Sequence, residues 1–198
     1  MNSFKIFRIH ETDGKTRAGF EQAHLEDLDA GEVVVKVAYS SVNYKDALAA
    51  TGTGKVIRRF PCVGGIALSG TVVESSDARF AKGDAVIATS FDLGVSHDGG
   101  YAEYARIPAD WLVRAPRGMS LKHAMVIGTA GYTAALGVAR MEHNGLAPQN
   151  GPVIVNGATG GVGSVAIDIL AQRGYRVTAL TGKADAEPYL RSLGASAI

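Results

Sequence analysis

Between Val153 and Leu170 the chain reads Val-Ile-Val-Asn-Gly-Ala-Thr-Gly-Gly-Val-Gly-Ser-Val-Ala-Ile-Asp-Ile-Leu, an order of residues that few folds accommodate. A β-branched run, Val153 to Val155, meets a turn holding Gly157, Gly160, Gly161 and Gly163. Val162, Val165, Ala166 and Ile169 then recur at helical spacing as an apolar stripe. The pattern predicts a strand, a glycine turn and a helix. A second strand is expected from Tyr175 to Leu180, after Arg173-Gly174, where glycine suits a helix C-cap.

A turn this rich in glycine is suited to dinucleotide binding. It is tight, it lets a pyrophosphate approach the backbone with no Cβ in the way, and it brings the helix close to the strand. The N–H groups at the helix start then face the phosphates. A glycine turn alone is a loose signal, and the strand on either side of the helix supplies the context that sharpens it. The bland alternative is a βαβ unit with no ligand.

The end of the second strand bears on which dinucleotide is held. A site for NAD usually places Asp or Glu about 20 residues beyond the glycine turn, to accept from the ribose 2′-hydroxyl. Here the chain reads Thr181-Gly182-Lys183, and no carboxylate appears before Asp185. An ammonium and a hydroxyl suit a 2′-phosphate, so NADP(H) is the expected cofactor. Lys183 as an ordinary solvated lysine is the alternative.

With 46% hydrophobic residues and a net charge of +1 over 198 residues, the composition is that of a globular chain. It offers no basic stripe for nucleic acid and no electrostatic attraction to an acidic membrane. Cys62 is the only cysteine, so no internal disulfide forms and no cysteine cluster holds zinc. Met1 to His10 lacks a signal-peptide core, which makes a cytoplasmic location the expectation.

The first half has a different grain. Glu32 to Tyr39 places Val33, Val35, Val37 and Tyr39 on one face of a strand; Ile66 to Glu74, Ala85 to Thr89 and Tyr101 to Ile107 are further strand candidates. Short strands with turn punctuation predict a small β-barrel, with Gly83 supplying a turn conformation that other residues resist. From His123 the pattern turns helical and runs to about Glu142, with Thr129 or Thr133 as a cap. The domain boundary is expected near Leu121.

Asn43-Tyr-Lys-Asp46, Gly99-Gly-Tyr-Ala-Glu-Tyr104, Ile127-Gly-Thr-Ala-Gly-Tyr-Thr-Ala134 and the Gly157 to Gly163 turn, in that order, resemble the medium-chain dehydrogenases/reductases. Asn43 to Lys55, Arg58-Arg-Phe-Pro61, Asp110-Trp-Leu-Val113 and Tyr189 to Ala195 are similar to the zinc-free branch of acrylyl-CoA reductases and related quinone oxidoreductases. The resemblance implies an α/β chain: a GroES-like β-barrel domain over residues 1–121, without its C-terminal return strands, then the first part of a Rossmann NADP-binding domain over 122–198. It implies NADPH-dependent reduction of an activated C=C bond without a metal, with acryloyl-CoA to propionyl-CoA as the leading reaction. A quinone or alkenal reductase is the nearest alternative. By resemblance, Tyr44 lies against the cofactor, with Asn43 and Asp46 beside it as catalytic candidates and Thr129 near the nicotinamide. Gly157, Thr159, Gly160, Gly161, Val162 and Gly163 hold the pyrophosphate, and Thr181, Gly182 and Lys183 hold the 2′-phosphate. A homodimer is expected of the full-length parent.

Each of these residues also has a plainer reading. Asn43 and Asp46 are residues that satisfy backbone donors in a turn, Thr129 is a cap, and His97 is either a proton donor or a loop histidine with no such role. The chain also departs from the family. Where the family usually shows Pro-Gly-Ile-Asp, this chain reads Gly64-Gly-Ile-Ala67, losing a carboxylate and gaining a looser loop. The chain reaches only the start of a third strand at Ala197-Ile198, so the doubly wound sheet is expected to be incomplete and the chain a fragment or truncated product, with a catalytically silent chain as a further possibility.

Overall fold

The computed structural model describes residues 3–198 and divides into two compact units, Met1–Thr129 and Ala130–Ile198. The first unit opens with a hairpin, β1 (Phe4–Thr12) and β2 (Lys15–Ala23), followed by β3 (Val33–Ser40) and the short helix α1 (Tyr44–Thr51). Strands β4 (Cys62–Val63), β5 (Ala67–Ser75), β6 (Ala85–Thr89), β7 (Tyr104–Ile107) and β8 (Leu112–Arg114) complete it. They form an antiparallel sheet of order β7-β3-β5-β6-β8 and a three-stranded sheet β2-β1-β4.

Val33, Val35, Leu68, Val72, Val86, Ala105 and Ile107 form the centre of the main core. Tyr39 departs from the expected strand face. The extra residue Ala38 bulges β3 between Val37 and Tyr39, which reverses the in-out alternation beyond it and leaves Tyr39 46% exposed. The β1–β2 hairpin, which the hydrophobic pattern does not announce, turns on Asp13-Gly14, both at positive φ. That is the two-residue turn whose twist matches that of the strands it joins.

The tightest point of this unit is a crossing of glycines. Tyr101 N–H donates to Gly64 O at 2.9 Å and Gly100 N–H to Gly65 O at 2.8 Å. A Cβ at Gly99 would collide with the Gly65 and Gly64 carbonyls, and one at Gly65 would meet the Tyr101 ring at 2.7 Å. The loop at Gly64 is not loose. Its N–H donates to Phe7 O at 3.1 Å, a bond that proline lacks the hydrogen to make.

Beside the crossing, buried Asp98 accepts Val63 N–H on Oδ1 at 2.7 Å and Asp29 N–H on Oδ2 at 3.0 Å, while Asp98 N–H donates to Asp29 Oδ2 at 2.8 Å. Arg59 closes the group with an ion pair to Asp29. Cys62 lies next to it, fully buried, its thiol donating to His97 O at 3.4 Å.

The helix α2 (Leu121–His143) is broken at Gly128, whose φ of 50° and ψ of −158° are non-helical. It carries the chain into the second unit, made of β9 (Val153–Asn156), α3 (Gly161–Gln172), β10 (Val177–Leu180) and α4 (Glu187–Ser192). Strands β9 and β10 are parallel, Val153 opposite Val177, and Ala197 bridges to Thr178 in parallel as the start of a third strand. This is the opening of a Rossmann-like sheet, with a core of Val155, Ile167, Leu170, Val177, Ala179 and Leu190.

The inner face of α3 differs from the expected stripe. Gly163, Ile167 and Leu170 are its buried residues, whereas Val162 is 43% exposed and Val165, Ala166 and Ile169 are only half-buried. Nearly every residue from Val162 to Leu170 is apolar or small, so two stripes fit the spacing. The need for a residue without a side chain against the Gly157 carbonyl selects the one containing Gly163.

Two measurements test this account of the first unit. Removing the Asp98 carboxylate leaves the buried Val63 N–H and the half-buried Asp29 N–H without their acceptor, so Asp98→Ala is expected to destabilise the unit by about 2–4 kcal/mol in denaturant unfolding. Burial, with the Asp98 carboxylate adding to it, pushes the Cys62 thiol up to about 12. The native protein at pH 8 is therefore expected to resist iodoacetamide, reacting only as it unfolds. The same shift stabilises the fold at neutral pH, and that stability is lost as pH rises from the ordinary thiol range towards 12.

Candidate functional site

The residues singled out from the sequence fall into two clusters, one in each unit. In the first unit Asn43 precedes α1 in extended conformation, and Tyr44 is the first helical residue, 80% exposed. Asp46, 5% exposed, turns inward. Its Oδ2 accepts Asn43 N–H at 2.8 Å and the Asn43 side-chain amide at 3.1 Å, and its Oδ1 accepts Ile66 N–H at 3.0 Å. Oδ2 thus closes the turn on itself, the reach-back that fixes many helix starts, and Oδ1 ties it to the residue before β5. Thr129 begins the second segment of α2, directly after the break at Gly128.

Two residues that the sequence pattern does not single out support this turn. Ser41 Oγ accepts the Asn43 side-chain amide at 3.2 Å, and Tyr101 donates its hydroxyl to Ser41 O at 3.1 Å. The Gly99-to-Tyr104 stretch stands out in sequence, but nothing local assigns Tyr101 to a partner 60 residues away.

His97 is committed to its loop. Its ring nitrogens face the carbonyls of Asp98 at 2.9 Å and Ala30 at 3.0 Å, and the ring meets Trp111 edge-on at 5.1 Å. Ala67, where the family's carboxylate is expected, is fully buried against Ala124 and Met125, with Ile87 and Met119 alongside. Among the described residues no group of three or more His, Cys, Asp or Glu side chains gathers as a metal site would require, and no helix is long and apolar enough to cross a membrane.

In the second unit Gly157, at φ 63°, leaves β9 and Gly160 caps α3 in extended conformation. Gly161, Val162 and Gly163 form the first turn of α3, whose N–H groups have no carbonyl four residues back within the helix. A Cβ at Gly163 would strike the Gly157 carbonyl, so the turn closes only with glycine there. Beside it lies a hollow of about 450 Å³ lined by Asn156, Gly157, Thr159, Leu180, Thr181, Gly182 and Lys183. Thr181 Oγ1 accepts Lys183 N–H at 3.1 Å and keeps its own hydrogen to donate. Asn156, which the pattern does not pick out, accepts Gly157 N–H on Oδ1 at 2.8 Å and so shapes the rim. Open helix N–H groups, a glycine cradle, a hydroxyl donor and an ammonium form a donor set that fits the phosphates of a dinucleotide.

Comparison with known proteins agrees with both halves of this description. Residues 29–117 match the alcohol dehydrogenase GroES-like domain. The chain is 50% identical over 188 residues to the acrylyl-CoA reductase AcuI of Ruegeria pomeroyi, a match covering 95% of this chain and 57% of AcuI. Among solved structures, the yhdH oxidoreductase of Salmonella enterica in complex with NADP superposes with a TM-score of 0.95 at 48% identity, covering 98% of this chain and 60% of yhdH. The Bacillus subtilis protein yhfP with NAD bound gives 0.96 at 51% identity, covering all of this chain and 60% of yhfP. The chain therefore spans little more than half the length of these relatives.

The surroundings of Ala67 yield a direct test. A carboxylate in that apolar cluster has no partner, so Ala67→Asp is expected to lower stability by about 2–4 kcal/mol. Burial would raise its folded-state pKa, so the loss should be small at pH 4 and grow towards pH 8 in parallel thermal melts.

Proposed function

We propose that this chain forms part of an NADPH-dependent reductase of activated C=C bonds acting on an enoyl thioester, with acryloyl-CoA to propionyl-CoA as the leading reaction. The observation that carries the reading is the hollow between the glycine turn and Thr181-Gly182-Lys183, which offers N–H groups, a hydroxyl and an ammonium but no carboxylate. Relatives of similar identity hold NADP in one case and NAD in another, so the residues at the end of β10 decide the preference. Gly157, Thr159, Gly160, Gly161, Val162 and Gly163 hold the pyrophosphate, while Thr181, Gly182 and Lys183 receive the 2′-phosphate.

When bound, NADPH would supply the hydride for the β-carbon of the substrate, and the enolate left behind would take a proton at its α-carbon from solvent. The chain's task is to orient and to stabilise. Asn43 and exposed Tyr44 border the nicotinamide with Thr129, and donors from this turn stabilise negative charge developing at the thioester oxygen. Asp46, with both oxygens engaged by N–H groups, acts by holding the turn. The reaction needs no metal, and a cytoplasmic homodimer is the proposed state of the whole enzyme.

Fluorescence titration with NADPH and NADH tests the reading. A charge-assisted contact to phosphate is worth about 1.5–3 kcal/mol, so NADPH should bind roughly tenfold or more tighter than NADH. Lys183→Glu should abolish or reverse that order, and equal binding of both dinucleotides to the wild type would refute the role of Lys183. Turnover with acryloyl-CoA against a quinone then separates the thioester reading from its nearest alternative.

A further inference from the structure

The Asn43–Asp46 turn carries the residues proposed to border the nicotinamide, and Asp46 closes it on Asn43. The residues leading into it, Ser41 and Val42, lie beyond the end of β3, whose last pairs are Tyr39 with Ser69 and Ser40 with Leu68. What fixes them comes from a distant part of the chain. Tyr101 is anchored at both main-chain groups, its N–H on Gly64 O at 2.9 Å and its carbonyl receiving Phe7 N–H at 2.8 Å. Its ring fills the space that the missing side chains of Gly64 and Gly65 leave, since a Cβ at those positions would lie 3.2 Å and 2.7 Å from ring carbons. The hydroxyl is thereby delivered to Ser41 O at 3.1 Å.

Ser41 passes that placement on in two directions. Its Oγ receives the Asn43 amide at 3.2 Å, and the same Oγ lies 3.2 Å from where a Cβ of Gly128 would stand, at the break that precedes Thr129. One serine therefore bonds the turn bearing Tyr44 and occupies the space that a side chain at the Gly128 break would need. Burial, then the charge of the nearby Asp46 carboxylate and a hydrogen bond to it, raise the Tyr101 phenol well above its ordinary range, so it stays a neutral donor that faces Asp46 as well as Ser41 O.

We propose that Tyr101 is a positioning residue for the reductase site: seated against Gly64 and Gly65, its hydroxyl fixes the Ser41 carbonyl, and Ser41 in turn sets Asn43 and the Gly128 break. The role of the site rests on the reading given above; the positioning itself does not.

Tyr101→Phe removes the hydroxyl and keeps the ring, and Ser41→Ala removes the link to Asn43 while keeping the carbonyl. Amide hydrogen exchange on the intact protein is the primary measurement. Both variants should speed exchange at Asn43, Asp46 and Ala47 by about three- to tenfold, the factor to which one net hydrogen bond corresponds, with exchange in β9 and α3 unchanged. In turnover of acryloyl-CoA, kcat should fall while NADPH affinity, set at the glycine turn, stays constant. Unchanged exchange over residues 41–47 in a folded Tyr101→Phe protein would overturn the proposal. A wild type that binds no NADPH would instead refute the dinucleotide reading, and exchange would still decide the positioning.

Discussion

Main chain lies directly on main chain where Gly64-Gly65 meets Gly99-Gly100, and most of the first unit is placed by that contact. Close approach of this kind is open only to residues without a Cβ, because any side-chain carbon there would fall inside the van der Waals radius of a carbonyl oxygen. The crossing puts Val63 over the Asp98 carboxylate, sends Tyr101 towards Ser41, and starts β5 with Ala67 facing the apolar cluster of Ala124 and Met125. Gly64 adds a hydrogen bond from its N–H to Phe7 O, which proline at that position has no hydrogen to make.

Buried acids in this unit are used as architecture. Asp46 and Asp98 accept backbone N–H groups that the folded chain has taken out of water, and half-buried Asp29 accepts another. An ionised carboxylate does this well because it accepts on two oxygens and each charge-assisted bond is stronger than a neutral one. The consequence for the site is a division of labour. The acid of the Asn43–Asp46 turn looks inward with N–H donors on both oxygens, while the tyrosine of the same turn looks outward.

Much of this was legible in the residues. The strands at 33–40, 67–75 and 85–89 follow from alternation and turn punctuation, and the β9–α3–β10 unit follows from its glycines. The departures have identifiable causes. Ala38 bulges β3, and a count of alternating residues does not reveal where the pairing takes in an extra residue. The inner face of α3 was ambiguous because Val162 to Leu170 is apolar nearly all round, and steric exclusion at Gly163 decided it. Asp13-Gly14 was a local hairpin signal, though the charged and exposed faces of β1 and β2 obscure the strands that flank it. Tyr101, Ser41 and Asp98 act through contacts across 35 to 69 residues of chain, which composition and spacing do not encode.

The break at Gly128 also has an electrical side. Peptide dipoles add along a helix only while successive units keep one orientation, and a residue at φ 50° and ψ −158° interrupts that sum. Had α2 run straight through, Thr129 would sit in the middle of a helix, where the field along the axis cancels from turn to turn. Because the alignment starts again there, the second segment presents its positive pole at Thr129. A fixed half-charge of backbone origin is thereby set beside a residue whose own side chain is uncharged, and no titration over the physiological range alters it.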